Sequence, residues 1–310
     1  MFFIELALLI VGFVLLVKGA DWFVDGASGI ADRFGIPQLV IGLTIVAMGT
    51  SAPEAAVSIT AAFKGTADIT VGNIVGSNIM NVLVILGIAS AITVIKVSKT
   101  TVHYEMPFML AITALFAYLG YTDNVIIFME GVILWVCFIA YLAYMFVMCK
   151  KGHMQAETIE SKGSLPKLLF FGVVGMVLIV VGSDITVDAA TELAKMFGMS
   201  ERFIGLTIVA LGTSLPELVT SVVAARRGKA DIAIGNIVGS NIFNILFVVG
   251  TSALIIPVAF ASKFLIDCAF AFGAGALLWI FVVKDHKLER RSGLIMLACY
   301  LIYFVYLLVQ

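Results

Sequence analysis

A chain of 310 residues with 62% of its positions drawn from Ala, Val, Ile, Leu, Met, Phe, Trp, Tyr and Cys, and only 13% charged, has no means of covering a water-exposed surface. Its mean hydropathy of +1.13 makes lipid the expected solvent. The net charge of −1, without a basic block, argues against nucleic acid as a partner.

In chain order, apolar runs predict spans near residues 2–24, 38–62, 72–94, 105–121, 125–148, 166–190, 203–225, 234–256, 262–283 and 291–309. The expected fold is an all-α membrane protein of ten transmembrane helices, with no soluble domain beside them. The first run opens with Glu5 rather than a basic segment and reads as a retained helix, not a signal peptide. If residues 2–34 form one helix it is about 50 Å long and must tilt or bend.

An even number of spans puts both termini on one side of the membrane. With the termini outside, the inside loops hold 14 of the 19 Lys and Arg residues, the outside loops hold Lys64, Lys195, Arg202 and Lys263, and Lys18 lies within a span. That asymmetry follows the positive-inside rule and places the 150–165 linker in the cytoplasm, in a multi-pass protein of a cell membrane.

The sequence repeats itself. GLTIVAMGTSAPE from Gly42 returns as GLTIVALGTSLPE from Gly205 with 11 of 13 positions identical. GTADITVGNIVGSNIMNVLVILG from Gly65 returns as GKADIAIGNIVGSNIFNILFVVG from Gly228 with 15 of 23 identical. One offset of 163 residues relates both pairs, and it also pairs Gly12 with Gly175, Asp21 with Asp184 and Asp25 with Asp188. The chain therefore divides into a five-helix repeat at 1–149, the linker at 150–165 and a second repeat at 166–310. Five crossings per unit start the second copy from the opposite membrane face, so the halves are inverted about an axis in the membrane plane. Secondary transporters are built this way, with their site at the midplane between the halves.

The most similar segments carry the chemistry. Pro53 and Pro216 interrupt the second and seventh spans, which frees backbone carbonyls near Gly49 and Gly212. Such groups persist at membrane depth only beside a cavity, water or an ion. Each break also supplies two hydroxyls (Thr50 and Ser51, or Thr213 and Ser214) and a carboxylate (Glu54 or Glu217). A charge at the centre of a spanning helix costs about 2.5–3.5 kcal/mol on insertion scales, and no Lys or Arg lies at matching depth. A cation is the expected partner: carboxylates, hydroxyls and carbonyls form an all-oxygen set suited to Ca2+, or to Na+ in its place, and two carboxylates balance one Ca2+.

In the following span of each half, Asn73, Ser77 and Asn81, and likewise Asn236, Ser240 and Asn244, form a polar stripe at i, i+4 and i+8. Ser77, Asn81, Ser240 and Asn244 are read as neutral ion or water contacts. Asn73 and Asn236 could serve there or brace a helix end. The pairs Gly72/Gly76 and Gly235/Gly239 allow close helix packing. Asp21, Asp25, Asp184 and Asp188 read as helix-end or interfacial carboxylates, with an ion vestibule as the alternative.

Paired GTSxPE and GNIVGSNI segments resemble the alpha-repeats of the cation/calcium exchanger superfamily, specifically the prokaryotic Na+/Ca2+ exchangers, over essentially the whole chain. The resemblance implies alternating access and Na+ as the counter-ion. It implies ligation by Glu54, Glu217, Thr50, Thr213, Ser51, Ser214, Ser77, Ser240 and Asn81, with the backbone oxygens of Ala47 and Ala210. Potassium-dependent relatives have Asp where this chain has Asn244, so the potassium-independent type is implied. Animal relatives carry long regulatory insertions where the linker here is about 16 residues, and regulation of that kind is not expected.

A Ca2+/H+ antiporter is the nearest rival, because a buried Glu can carry a proton; those relatives use GNxxE-type breaks. A cation channel is a further alternative, which interrupted inverted helices disfavour. Cys137, Cys149, Cys268 and Cys299 lack CxxC spacing, His103, His153 and His286 lie in or near loops, and HExxH is missing. No enzyme activity and no resident cofactor is therefore expected; the expected partners are the transported Ca2+ and Na+ and the bilayer, and no protein partner is inferable.

Overall fold

The computed structural model describes residues 2–155, 164–198 and 210–309. Helix α1 (Phe2–Phe34) runs without interruption for 33 residues, ten beyond the expected end of the first span. Asp21 and Asp25 therefore sit inside a helix rather than at its end. What stops α1 is Gly35, whose φ of +61° suits glycine and turns the chain so that Ile36 N–H reaches Ala31 O at 2.8 Å. Helix α7 (Leu165–Met196) is likewise longer than the expected 166–190 and ends before Gly198 at φ +74°.

The expected break in the second span is present. Helix α2 (Gln38–Thr50) and helix α3 (Ala52–Phe63) meet at an angle of 50°. Ser51, at φ −82° and ψ 8°, is the single non-helical residue between them. Pro53 stands in the first turn of α3, where its missing N–H costs nothing. The seventh span repeats this geometry in helix α8 (Ala210–Thr213), the break at Ser214 (φ −92°, ψ 4°) and helix α9 (Leu215–Arg226). The earlier part of that expected span, 203–209, lies outside the described residues, as does 156–163 of the linker.

The other spans are α4 (Ile69–Ile92), α5 (Thr101–Asp123), α6 (Phe128–Gln155), α10 (Ala230–Ile255), α11 (Phe264–Val282) and α12 (Arg290–Val309). Among the described residues, eight continuous helices and one bent pair are long and apolar enough to cross a membrane. With α8 and α9 this follows the expected two-repeat organisation, although the full length of the seventh span is not described. α4 and α10 each contain a wide π turn starting at a site asparagine, Asn81–Leu86 and Asn244–Val249. Such turns lower the ladder's regularity where a helix is re-aimed.

Burial separates the helices into two classes. In the most apolar stretches of α4 and α10, 78% and 94% of residues are enclosed by protein, against 17% in α1 and 28% in α7. α4 and α10 form the centre, and α1 and α7 lie together at the periphery. Two short antiparallel pairs tie the halves: β1 (Ile95–Lys96) with β4 (Lys287–Leu288), and β2 (Val125–Ile126) with β3 (Val258–Ala259).

α1 and α7 touch backbone to backbone through glycines one heptad apart. A Cβ on Gly19 would stand 2.8 Å from Gly175 O, and one on Gly175 would stand 2.5 Å from Phe23 N. In lipid, where helices gain little from burying apolar surface against each other, such close approach is the main source of adhesion. Gly175→Leu is therefore expected to lower stability by about 1–3 kcal/mol, the usual cost of overpacking. Gly172→Ala, with nothing within 4 Å of its new Cβ, should be neutral. Thermal unfolding in detergent measures both, and equal melting temperatures for the two variants would contradict this packing.

Candidate cation site

The two helix breaks face each other across the pseudo-two-fold axis, and each glutamate is served by the opposite half. Ser51 Oγ donates to Glu217 Oε1 at 2.8 Å. Its counterpart Ser214 Oγ is 3.4 Å from Glu54 Oε1, and Ser77 Oγ is 3.3 Å from the same oxygen. Ser77 and Ser214 are also 3.4 Å apart, so the two hydroxyls share their hydrogens between each other and Glu54. Thr213 lies beside Glu54 and Thr50 beside Glu217. Both carboxylates are 1% exposed, and among the described residues no Lys or Arg pairs with either.

These bonds use only one oxygen of each carboxylate. Glu54 Oε2 and Glu217 Oε2 are buried and have no hydrogen-bond partner among the described residues. The same holds for Asn81 Oδ1 and Asn244 Oδ1, at the start of the π turns in α4 and α10. Four buried acceptors without donors, two from each half and related by one offset, are a costly arrangement for a protein interior. A cation is the ligand that satisfies acceptors alone.

Asn78 and Asn241 turn the amides of Asn81 and Asn244. Asn78 Nδ2 donates to Asn241 O at 3.2 Å, and Asn241 Nδ2 returns the bond to Asn78 O at 3.1 Å. Asn241 Oδ1 then accepts from Asn81 Nδ2 at 3.0 Å, and Asn78 Oδ1 from Asn244 Nδ2 at 3.1 Å. With each amide nitrogen so engaged, the oxygens of Asn81 and Asn244 are the atoms left over. Sequence reasoning followed the i, i+4, i+8 stripe and passed over Asn78 and Asn241, which lie off it. Their signal was a buried amide at the same place in both repeats, adjacent to a predicted contact.

The remaining expected residues divide. Ser240 Oγ donates to Ala47 O at 3.4 Å, and Thr50 Oγ1 is 3.4 Å from the same carbonyl and 3.0 Å from Asn236 Oδ1. Ala47 O is thus already at the site, while Ala210 opens α8 at the edge of the described segment. Asn73 and Asn236 are braces: Asn73 Nδ2 donates to Ser58 Oγ at 3.0 Å and Glu54 O at 3.4 Å. Asn236 Nδ2 does the same to Ser221 Oγ at 2.9 Å and Glu217 O at 3.5 Å. The carbonyl of Gly212, freed by Pro216, takes the hydroxyl of Ser183 at 2.9 Å, so a neighbouring helix satisfies it. Asp184 and Asp188 line a cavity of about 590 Å³ whose lining also includes Pro53 and Thr213. Asp21 and Asp25 instead pair with Arg227.

Among the described residues no group of three or more His, Cys, Asp or Glu side chains converges, so the acidic part of the site is two carboxylates and the rest is neutral oxygen. Such a set favours hard ions over transition metals.

The same organisation recurs in known proteins. Residues 4–147 and 167–309 match the family described as sodium/calcium exchanger protein, one match for each half. The inner membrane protein YrbG of Escherichia coli is 40% identical, over 81% of this chain and 80% of that one. The sodium/calcium exchanger MaX1 of Methanosarcina acetivorans is 31% identical over 98% of both. A structure of the sodium-calcium exchanger NCX_Mj, soaked with Na+ and Sr2+, superposes with a TM-score of 0.86 at 32% identity, covering 98% of this chain and 99% of that one. By its repeats, its fold and its match along both halves, the chain belongs to the sodium/calcium exchanger family.

Proposed function

We propose that this protein exchanges Na+ for Ca2+ across its membrane by alternating access. The observation that carries the reading is the pair of enclosed glutamates, each with one carboxylate oxygen that has no hydrogen-bond partner among the described residues. In this reading Ca2+ binds between Glu54 and Glu217, which balance its charge. Ca2+ prefers six to eight oxygens. The others come from Thr50, Thr213, Ser51, Ser214, Ser77, Ser240, Asn81 and Asn244, with the carbonyls of Ala47 and Ala210. A serine that donates its one hydrogen to a carboxylate retains lone pairs for an ion, so the Ser51–Glu217 bond is compatible with both groups acting as ligands. A single Na+ leaves one of the two negative charges uncompensated, so Na+ displaces Ca2+ by binding more than once.

The repeats supply the conformational half of the mechanism: two inverted units can trade conformations and so expose the same midplane site to either face. We place both termini outside and the 150–165 linker in the cytoplasm, on the distribution of Lys and Arg among the loops.

In proteoliposomes, an outward Na+ gradient should drive Ca2+ uptake. Glu54→Gln and Glu217→Gln should each lower apparent Ca2+ affinity at least a hundredfold, the effect of leaving one buried charge unbalanced by about 3 kcal/mol or more. Undiminished uptake in either variant would overturn the site, and uptake driven by a pH gradient without Na+ would overturn the counter-ion. Asn241→Ala, which frees the amide of Asn81, should raise the half-saturating Ca2+ concentration about tenfold or more while leaving uptake measurable, as expected for a residue that orients a ligand. An unchanged half-saturation would show that the asparagine pairing does not serve the ion.

A further inference from the structure

The repeat offset extends to a set of charged residues that the cation site does not use. Asp184 and Asp188 of α7 correspond to Asp21 and Asp25 of α1, and Lys64, just after α3, corresponds to Arg227, just after α9. The structure treats these two sets differently. Arg227 Nη2 lies 2.7 Å from Asp21 Oδ1, its Nη1 pairs with the Asp25 carboxylate, and Nη1 also reaches Asp21 O at 3.3 Å. The end of α9 is thereby fastened to α1, and Thr220, midway along α9, is fully buried.

On the other face the corresponding helices, α7 and α3, stand apart. The cavity of about 590 Å³ lies between them, with Pro53 and Val57 on one wall, Asp184 and Asp188 on the other, and Thr213 within reach. Val57, which occupies the place of Thr220 in the first repeat, is 45% exposed. Among the described residues no ion pair joins Lys64 to Asp184 or Asp188. One face is closed with its charges paired, and the other is open with the same charges apart.

An inverted repeat can adopt the same contacts with the roles of its halves exchanged. We propose that Arg227 is a positioning residue that latches α9 to α1 and so holds open the face bearing Asp184 and Asp188. In the opposite conformation Lys64 takes over, pairing with those two aspartates while Arg227 is released. The Arg227 side chain is 34% exposed, and partly exposed ion pairs are individually weak, which suits a contact that must break in every cycle. This inference rests on the alternating-access reading, but its test needs no transport.

The test uses the full chain with its four cysteines replaced, carrying either Val57→Cys or Thr220→Cys, and a water-soluble maleimide in detergent micelles. Val57→Cys reports the face open here, and Thr220→Cys reports the opposite one. Arg227→Gln should lower the ratio of the two labelling rates (Val57→Cys over Thr220→Cys) about fivefold, and Lys64→Gln should raise it. The charge exchange Arg227→Asp with Asp25→Arg should restore the ratio. An unchanged ratio in Arg227→Gln, a fall in Lys64→Gln, or no recovery in the charge exchange would each overturn the latch. A variant that merely loosens the fold raises both rates together, leaves the ratio unmoved and counts against it. If the ratio responds as expected but Na+-driven uptake is missing in the parent protein, the ion assignment fails and the latch stands.

Discussion

Two carboxylates held in an apolar interior, with no basic partner among the described residues, are the constraint around which this protein is arranged. Left alone, each would oppose folding, and together they repel. Among the described residues the surrounding structure does not neutralise them: it lends each a hydroxyl from the opposite half and leaves one oxygen on each without a donor. A protein selected for stability alone would have an apolar pair here. In the proposed reading, what the arrangement gains is an affinity for cations that the fold supplies in advance.

The rest of the architecture follows from holding those groups at the midplane. The breaks at Ser51 and Ser214 aim the starts of α3 and α9 at the axis. Asn73 and Asn236 then fasten the resumed helices to α4 and α10 through the carbonyls of Glu54 and Glu217. The central position of α4 and α10 keeps their asparagines dry, and Asn78 and Asn241 pair across the axis to fix which end of the neighbouring amides is free. The enclosed centre contrasts with α1 and α7, which lie at the periphery and meet each other closely on glycine. The charges at the two ends of this pair differ in their pairing: Asp21 and Asp25 meet Arg227, while among the described residues no ion pair joins Asp184 or Asp188 to Lys64.

Much of this was legible in the sequence because the repeat doubles every signal. Glu54 and Glu217 stood out as charges in apolar runs, and the prolines beside them announced the breaks. The family resemblance supplied Ala47, whose carbonyl the structure brings to Ser240 and Thr50. Other features depend on packing between segments far apart in the chain. The pairing of Asn78 with Asn241 cannot be inferred from helical periodicity, since both lie off the polar stripe. Nor can the capture of Gly212 O by Ser183, because the first repeat has Ala20 at that place and the symmetry argument fails there. The expected first span stops at residue 24 because hydropathy falls at Asp21 and Asp25, while the helix continues to Phe34, the single long helix that residues 2–34 allowed; polarity marks where lipid ends, and backbone conformation marks where the helix does.

The central claim is that one site between the halves binds either Ca2+ or Na+. Calorimetric titration of Ca2+ into the purified protein, in a Na+-free buffer and then at rising Na+ concentrations, tests it most directly. The account predicts one Ca2+ per chain, displaced by Na+ with a steeper than hyperbolic dependence because more than one Na+ replaces it. Ca2+ binding indifferent to Na+, or unaltered when Glu54 and Glu217 are both replaced by Gln, would contradict it.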